Sequence, residues 1–85
     1  MSDLQTRFAQ AQQDVNGLSA RPDNEILLKL YALYKQATQG DVDSEQPHSF
    51  DLVRRAKFDA WSALKGTTKA DAMQQYVNLV DSLRR

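Results

Sequence analysis

The fold of this chain is decided by residues 23 to 40, which read DNEILLKLYALYKQATQG. Asp23 can cap the start of a helix, and Gly40 can adopt the left-handed conformation that commonly ends one. Between them, apolar side chains recur at helical spacing in two stripes, turned about 100° from each other. The core stripe is Ile26, Leu30, Leu33 and Ala37, and the surplus stripe is Leu27, Tyr31, Tyr34 and Thr38. Because one core needs only one stripe, something else must cover the surplus stripe.

In the residues before this stretch, apolar side chains at intervals of four and three residues predict a helix over residues 3 to about 18. Ser2 or Asp3 can cap its start, and Gly17 and Pro22 end it. The first helix therefore stops shortly before the second begins.

Two more helices are predicted after this stretch. A turn-rich connection over residues 41 to 49 leads into a third helix, which runs from about Phe50 to Lys65 and stops at Gly66. Thr68 and Asp71 form a capping box that starts the fourth helix. The apolar positions of that helix are Ala72, Met73, Tyr76, Val77, Val80 and Leu83. Since nothing alternates with period two, the sequence predicts an all-α four-helix bundle.

The length and composition of the chain limit what it can be. Its 85 residues allow a single domain, residues 1 to 85, with a modest core. Because cysteine is absent, neither a disulfide nor a thiolate metal site can reinforce that core. The N-terminus lacks the features of a signal peptide, and no apolar segment approaches the roughly 20 residues that span a bilayer. A formal charge of zero argues against nucleic-acid binding. We therefore expect a monomeric, cytoplasmic protein without stable membrane insertion.

Basic residues are concentrated in the second half of the chain. Residues 1 to 50 carry four basic and seven acidic side chains, whereas residues 51 to 85 carry seven basic and four acidic side chains. A cluster of five is formed by Arg54, Arg55, Lys57, Lys65 and Lys69. Such a patch on a neutral protein suits a small polyanion, although a solvated helix face is the commoner origin of a run of charges.

Lysines accompany the surplus aromatic side chains. Tyr31, Tyr34 and Lys35 share a helix face because they are spaced i, i+3 and i+4. On the third helix the expected core residues are Val53, Ala56, Ala60 and Leu64, and the expected aromatic and cationic flank is Arg54, Lys57, Phe58, Trp61 and Lys65. Such a set suits a ligand that has a phosphate and a flat ring. The lysines would bind the phosphate, and the ring would stack on a tyrosine. Any one of these aromatics alone is more commonly a core residue with its polar atom hydrogen-bonded.

The sequence offers no recognisable catalytic or metal site. His48 is the only histidine, so it lacks the partners of a metal-ligand set. Asp41, Asp43 and Glu45 alternate but lack the central glycine and the final glutamate of a calcium-binding loop. No Gly-x-Ser-x-Gly motif is present. We therefore expect neither an enzyme nor a bound cofactor.

Several groups of residues follow one another in a recognisable order. They are Tyr31-x-x-Tyr34-Lys35-Gln-Ala-Thr38-x-Gly40-Asp41, Pro47, Ala56-Lys57-Phe58-Asp59-Ala-Trp61, Leu64-Lys65-Gly66-Thr67 and Asp71-Ala-Met73 with Tyr76. In these motifs the chain resembles the acyl-CoA-binding protein family, and the likeness extends from Phe8 to Leu83. The resemblance implies an up-down-down-up four-helix bundle that binds long-chain acyl-CoA thioesters without turning them over.

The resemblance also implies ligand contacts, position by position. Tyr31, Lys35 and Lys57 correspond to residues that engage the 3′-phosphate of the CoA ribose. Tyr34 corresponds to the ring on which adenine packs, and Tyr76 to a further binding-site tyrosine on the last helix.

The chain departs from the family pattern at two positions that concern the ligand. Phe58 stands where the family usually has a tryptophan, and Asn16 stands where several members present a lysine to the ligand. Neither change touches the tyrosine and lysine set. They therefore bear on affinity rather than on the class of ligand.

A long acyl chain cannot fit inside so small a bundle at native packing density, so we expect it to lie in a groove with Leu27 and Leu28 as candidate walls. Transient contact with a membrane or with an enzyme that uses acyl-CoA stays open. A different function would be a protein-interaction module whose surplus stripe receives a partner helix. A third would be the binding domain of a CoA-dependent isomerase, although the chain has no length left for a catalytic half.

Overall fold

The computed structural model describes residues 3 to 43 and 51 to 84. Within them it contains four helices and no strand, so the all-α prediction is confirmed. The helices are α1 (Leu4–Asn16), α2 (Asn24–Gln39), α3 (Leu52–Ser62) and α4 (Lys69–Leu83). α4 packs against both α1 and α2, and α3 packs against α2. None of the helices described is long and apolar enough to cross a membrane.

The predicted starts of α1, α2 and α4 are confirmed by their hydrogen bonds. The side chains of Asp3, Asp23 and Thr68 each accept a hydrogen bond from a backbone N–H three residues later, at 2.8 to 3.0 Å. Such a cap contributes about 1 kcal/mol to stability. Gly40 ends α2 with a φ of 82°, as its position in the sequence predicted.

The third helix ends earlier than predicted. It begins after Asp51, whose side chain accepts hydrogen bonds from the N–H groups of Val53 and Arg54. It ends at Ser62, because the next residues form i to i+3 hydrogen bonds, such as the one from the Leu64 N–H to the Trp61 carbonyl at 3.0 Å. The predicted start at Phe50 and most of the predicted connection over 41 to 49 lie outside the described residues.

The core is built from the inward faces of all four helices. It comprises Phe8, Ala11, Leu30, Ala32, Leu33, Ala37, Trp61, Leu64, Ala72, Tyr76, Val77 and Val80. Two predictions for α3 are wrong. Val53 is 62% exposed because the first turn of α3 borders an open cleft instead of another helix. Trp61 is only 8% exposed and belongs to the core, because its indole N–H finds partners inside the protein.

A buried glutamine that the sequence patterns missed holds Trp61 in place. Gln36 is fully buried and donates from Nε2 to the Thr67 carbonyl at 2.7 Å and to the Asp41 carboxylate at 2.8 Å. Its Oε1 accepts from Trp61 Nε1 at 3.1 Å, and the same indole N–H donates to the Gly40 carbonyl at 2.9 Å. The end of α2 is thereby joined to α3 and to the turn that follows it.

Asp41 completes this arrangement from the exposed side. Its carboxylate also accepts a hydrogen bond from the Gly66 N–H at 2.9 Å. That bond, the bond from Gln36 and the nearby charge of Lys65 hold the pKa of Asp41 below its ordinary value of 3.8. The ionised carboxylate therefore stabilises the fold above that pH, and this contribution is lost as the pH falls through the lowered pKa.

Replacing Gln36 by alanine should lower the free energy of unfolding by about 2 to 4 kcal/mol, because the change leaves a cavity and removes the donor to the Thr67 carbonyl. Gln39→Ala is the matched control, since Gln39 is exposed in the last turn of the same helix. It should change the same quantity by less than about 0.5 kcal/mol. Urea denaturation measures both, and equal small losses would contradict the structural role of Gln36.

Candidate functional site

Two adjoining cavities occupy the cleft between α2 and α3. The polar cavity has a volume of about 460 Å³ and is lined by Tyr31, Asp51, Val53, Arg54, Lys57, Phe58 and Trp61. The apolar cavity has a volume of about 440 Å³ and is lined by Arg21, Asn24, Leu27, Leu28, Tyr31, Leu52, Val53, Ala56 and Lys57. Both volumes lie within the range of roughly 300 to 1,000 Å³ that is typical of ligand pockets.

Tyr31 and Lys57 stand where the two cavities meet, because both residues line both cavities. Lys57 Nζ lies 5.1 Å from the centroid of the Tyr31 ring, which is a cation–π contact between α3 and α2. The predicted wall residues Leu27 and Leu28 lie in the apolar cavity. The structure thus brings together four of the seven predicted site residues.

Lys35 approaches the site through Trp61. Its Nζ lies 4.9 Å from the centroid of the Trp61 ring, and that ring lines the polar cavity. Lys35 itself lines neither cavity. The two lysines therefore rest on different aromatic rings, and both rings belong to residues that line the polar cavity.

Tyr34 of α2 and Tyr76 of α4 both contact Phe8 of α1, and they lie outside the cleft between α2 and α3. The Tyr34 ring stacks on Phe8 with centroids 6.1 Å apart, and Tyr76 meets Phe8 edge to face at 5.0 Å. Tyr34 is 41% exposed, so its ring is accessible, whereas Tyr76 is 5% exposed. Burial and then the proximity of Tyr34 raise the pKa of Tyr76. Neither tyrosine lines the two cavities of the cleft.

Sequence patterns missed part of the lining of the cleft. Leu52 and Val53 are 76% and 62% exposed, and both line the apolar cavity. Periodicity predicted Val53 on an inward helix face, but it could not reveal that none of the other helices in residues 3 to 43 and 51 to 84 covers this side chain. Their exposure indicates apolar surface that a ligand can cover.

The arrangement suits a ligand with two chemically different ends. Cations and aromatic faces in the polar cavity can bind a phosphate and stack against a flat ring. The leucines and Val53 of the apolar cavity can cover a flexible hydrocarbon. Among the residues that the structure describes, no cluster of three or more His, Cys, Asp or Glu could hold a metal ion.

Comparison with known proteins gives a consistent result. The family model described as "Acyl CoA binding protein" matches residues 5–80. The chain is 45% identical to an acyl-CoA-binding protein of Dictyostelium discoideum over 92% of this chain and 93% of that protein. It resembles the crystal structure of Oryza sativa Acyl-CoA-Binding Protein 2 with a TM-score of 0.89 and 41% identity, over 95% of this chain and 90% of that one. The fold type that the sequence resemblance implied is therefore confirmed.

Another relative is much longer than this chain. Human Enoyl-CoA delta isomerase 2 is 49% identical over 93% of this chain, but the match spans only 20% of the isomerase. The similarity to the isomerase therefore concerns one part of that protein.

The structure assigns Tyr76 a packing role that can be separated from ligand contact. Tyr76→Ala should lower the free energy of unfolding by about 3 to 5 kcal/mol, because it removes a buried ring from the core. Tyr34→Ala should cost less than about 1.5 kcal/mol, since its ring is partly exposed and loses chiefly the stack on Phe8. Thermal and urea denaturation of both variants test this. A Tyr76→Ala variant as stable as the parent would contradict the packing role.

Proposed function

Because the chain belongs to the acyl-CoA-binding protein family, we propose that it binds long-chain fatty acyl-CoA thioesters and carries them without catalysis. One observation carries this proposal: a polar cavity with cations and aromatic rings adjoins an apolar cavity, and Tyr31 and Lys57 line both. An acyl-CoA has a phosphorylated nucleotide at one end and a hydrocarbon chain at the other. The cleft offers one cavity for each end.

The nucleotide end is proposed to bind in and beside the polar cavity. We propose that Lys57 and Tyr31 contact the 3′-phosphate and that Lys35, whose ammonium group lies over the Trp61 ring, adds positive charge. Hydrogen bonds from ammonium groups to phosphate are stronger than those between neutral groups. Tyr34 offers an accessible ring for adenine, and Tyr76 would support that ring through Phe8.

The acyl chain is proposed to lie in the apolar cavity, along Leu27 and Leu28 on one side and Leu52 and Val53 on the other. The two α3 residues are largely exposed. Covering them removes apolar surface of both protein and ligand from water. The groove is open and finite, so only part of a very long chain can be covered.

The other two hypotheses are less well supported. A partner helix on the surplus stripe is not favoured, because a relative matched over more than nine tenths of both chains is named an acyl-CoA-binding protein. The chain spans one fifth of the isomerase relative, so isomerase activity is not carried over. We further propose a cytoplasmic monomer that contacts membranes and acyl-CoA-using enzymes only transiently.

Replacing Lys57 by alanine should weaken palmitoyl-CoA binding by roughly ten- to a hundredfold, because a charge-assisted hydrogen bond contributes about 1.5 to 3 kcal/mol. Stability should change little, since Lys57 is exposed. Lys29→Ala is the matched control, because Lys29 is an exposed lysine of α2 that lines neither cavity. Isothermal titration calorimetry measures both variants. Parent-like affinity after Lys57→Ala would refute the phosphate assignment.

Affinity should rise with acyl chain length and then level off. Each methylene removed from water contributes up to about 0.8 kcal/mol, so two added carbons should tighten binding by at most roughly fifteenfold until the groove is full. Dissociation constants for saturated acyl-CoAs from short to very long, measured below their micelle concentrations, test this. Free CoA and free palmitate should each bind more weakly than palmitoyl-CoA. Affinity that does not depend on chain length would refute the acyl-CoA assignment.

A further inference from the structure

A second cation of α3 lines the polar cavity. Arg54 precedes Lys57 by three residues, and the side chains of both residues border this cavity together with Tyr31 and Trp61. The Arg54 guanidinium has no hydrogen bond or ion pair with any residue in 3 to 43 or 51 to 84. Arg84, in contrast, pairs with Asp14 at 3.2 Å and with Asp81 at 3.8 Å.

Arg54 and Lys57 lie one helical turn apart, and like charges at that spacing repel each other. The Asp51 carboxylate also lines this cavity, where it accepts hydrogen bonds from the backbone N–H groups of Val53 and Arg54. The neighbouring Arg55 is rotated by about 100° around α3. It is exposed and lines neither cavity of the cleft. Arg54 therefore differs from Arg55 in its place at the cavity and not in its charge.

We propose that Arg54 is a specificity-determining contact that binds a phosphate group of CoA together with Lys57. This inference rests on the proposed function. A guanidinium presents a planar fork of donors that can bind two phosphate oxygens at once, whereas an ammonium acts as a point charge. Lys57 thus supplies positive charge, and Arg54 adds hydrogen bonds whose fixed geometry favours a phosphate group. The shared chemistry is a phosphoryl oxygen, and CoA offers it on the ribose 3′-phosphate and on the diphosphate.

The test compares Arg54→Gln, Arg54→Lys and Arg55→Gln with the parent protein, by calorimetry with palmitoyl-CoA. Arg54→Gln should weaken binding about tenfold, because a charge-assisted contact is lost. Arg55→Gln removes the same charge beside the cavity and should change affinity by less than about twofold, since exposed charges away from a contact are screened. Arg54→Lys should fall between the two, because it keeps the charge and loses the fork. Thermal denaturation verifies that every variant is folded.

Parent-like affinity of Arg54→Gln would overturn the inference. Equal losses in Arg54→Gln and Arg55→Gln would also overturn it, because they would reflect net charge alone. Repeating the titrations with 3′-dephospho-palmitoyl-CoA locates the contact: a loss that disappears supports the 3′-phosphate, and a loss that persists supports the diphosphate. A parent protein that binds no palmitoyl-CoA would defeat the proposed function and this inference with it, whereas a binding parent with an unaffected Arg54→Gln defeats the inference alone.

Discussion

The hydrogen bonds of the buried Gln36 side chain are the interaction on which the rest of the structure depends. A buried amide is costly unless its donors and acceptor are paired, and Gln36 is paired with Asp41, Thr67 and Trp61. These partners come from the segment after α2, the turn before α4 and the body of α3. One side chain therefore fixes how three segments meet. It also fixes the orientation of Trp61, which forms a wall of the polar cavity and the surface beneath Lys35.

The cleft exists because α3 packs closely on α2 only in part. Towards its C-terminal end, Trp61 and Leu64 enter the core, whereas at the first turn Leu52 and Val53 face open space. Apolar surface that is exposed to water lowers stability, and this fold keeps such surface exposed where the two cavities join. The same separation leaves Lys57 free to lie over Tyr31 at the surface of the protein. Close packing at one end of the helix pair thus supports an open groove at the other.

The sequence predicted the fold well because its signals are local. Caps such as Asp23 and the glycine stop at Gly40 act within a few residues, and the structure confirms them. Contacts between helices were predicted less well. Gln36 was missed because periodicity treats an amide as polar and therefore exposed. Tyr34 and Lys35 were grouped with Tyr31, yet adjacent residues point about 100° apart, so one meets Phe8 of α1 and the other meets Trp61 of α3.

Trp61 is the only tryptophan of the chain, and this gives the molecule a built-in optical probe. Its indole N–H is fixed by Gln36 and the Gly40 carbonyl, an ammonium group lies over its ring, and its side chain borders the polar cavity. Any change in indole emission therefore originates at one known location in the protein. Because Trp61 lines the polar cavity, we expect occupancy of the cleft to change this emission in the unlabelled protein, so no reporter group need be attached.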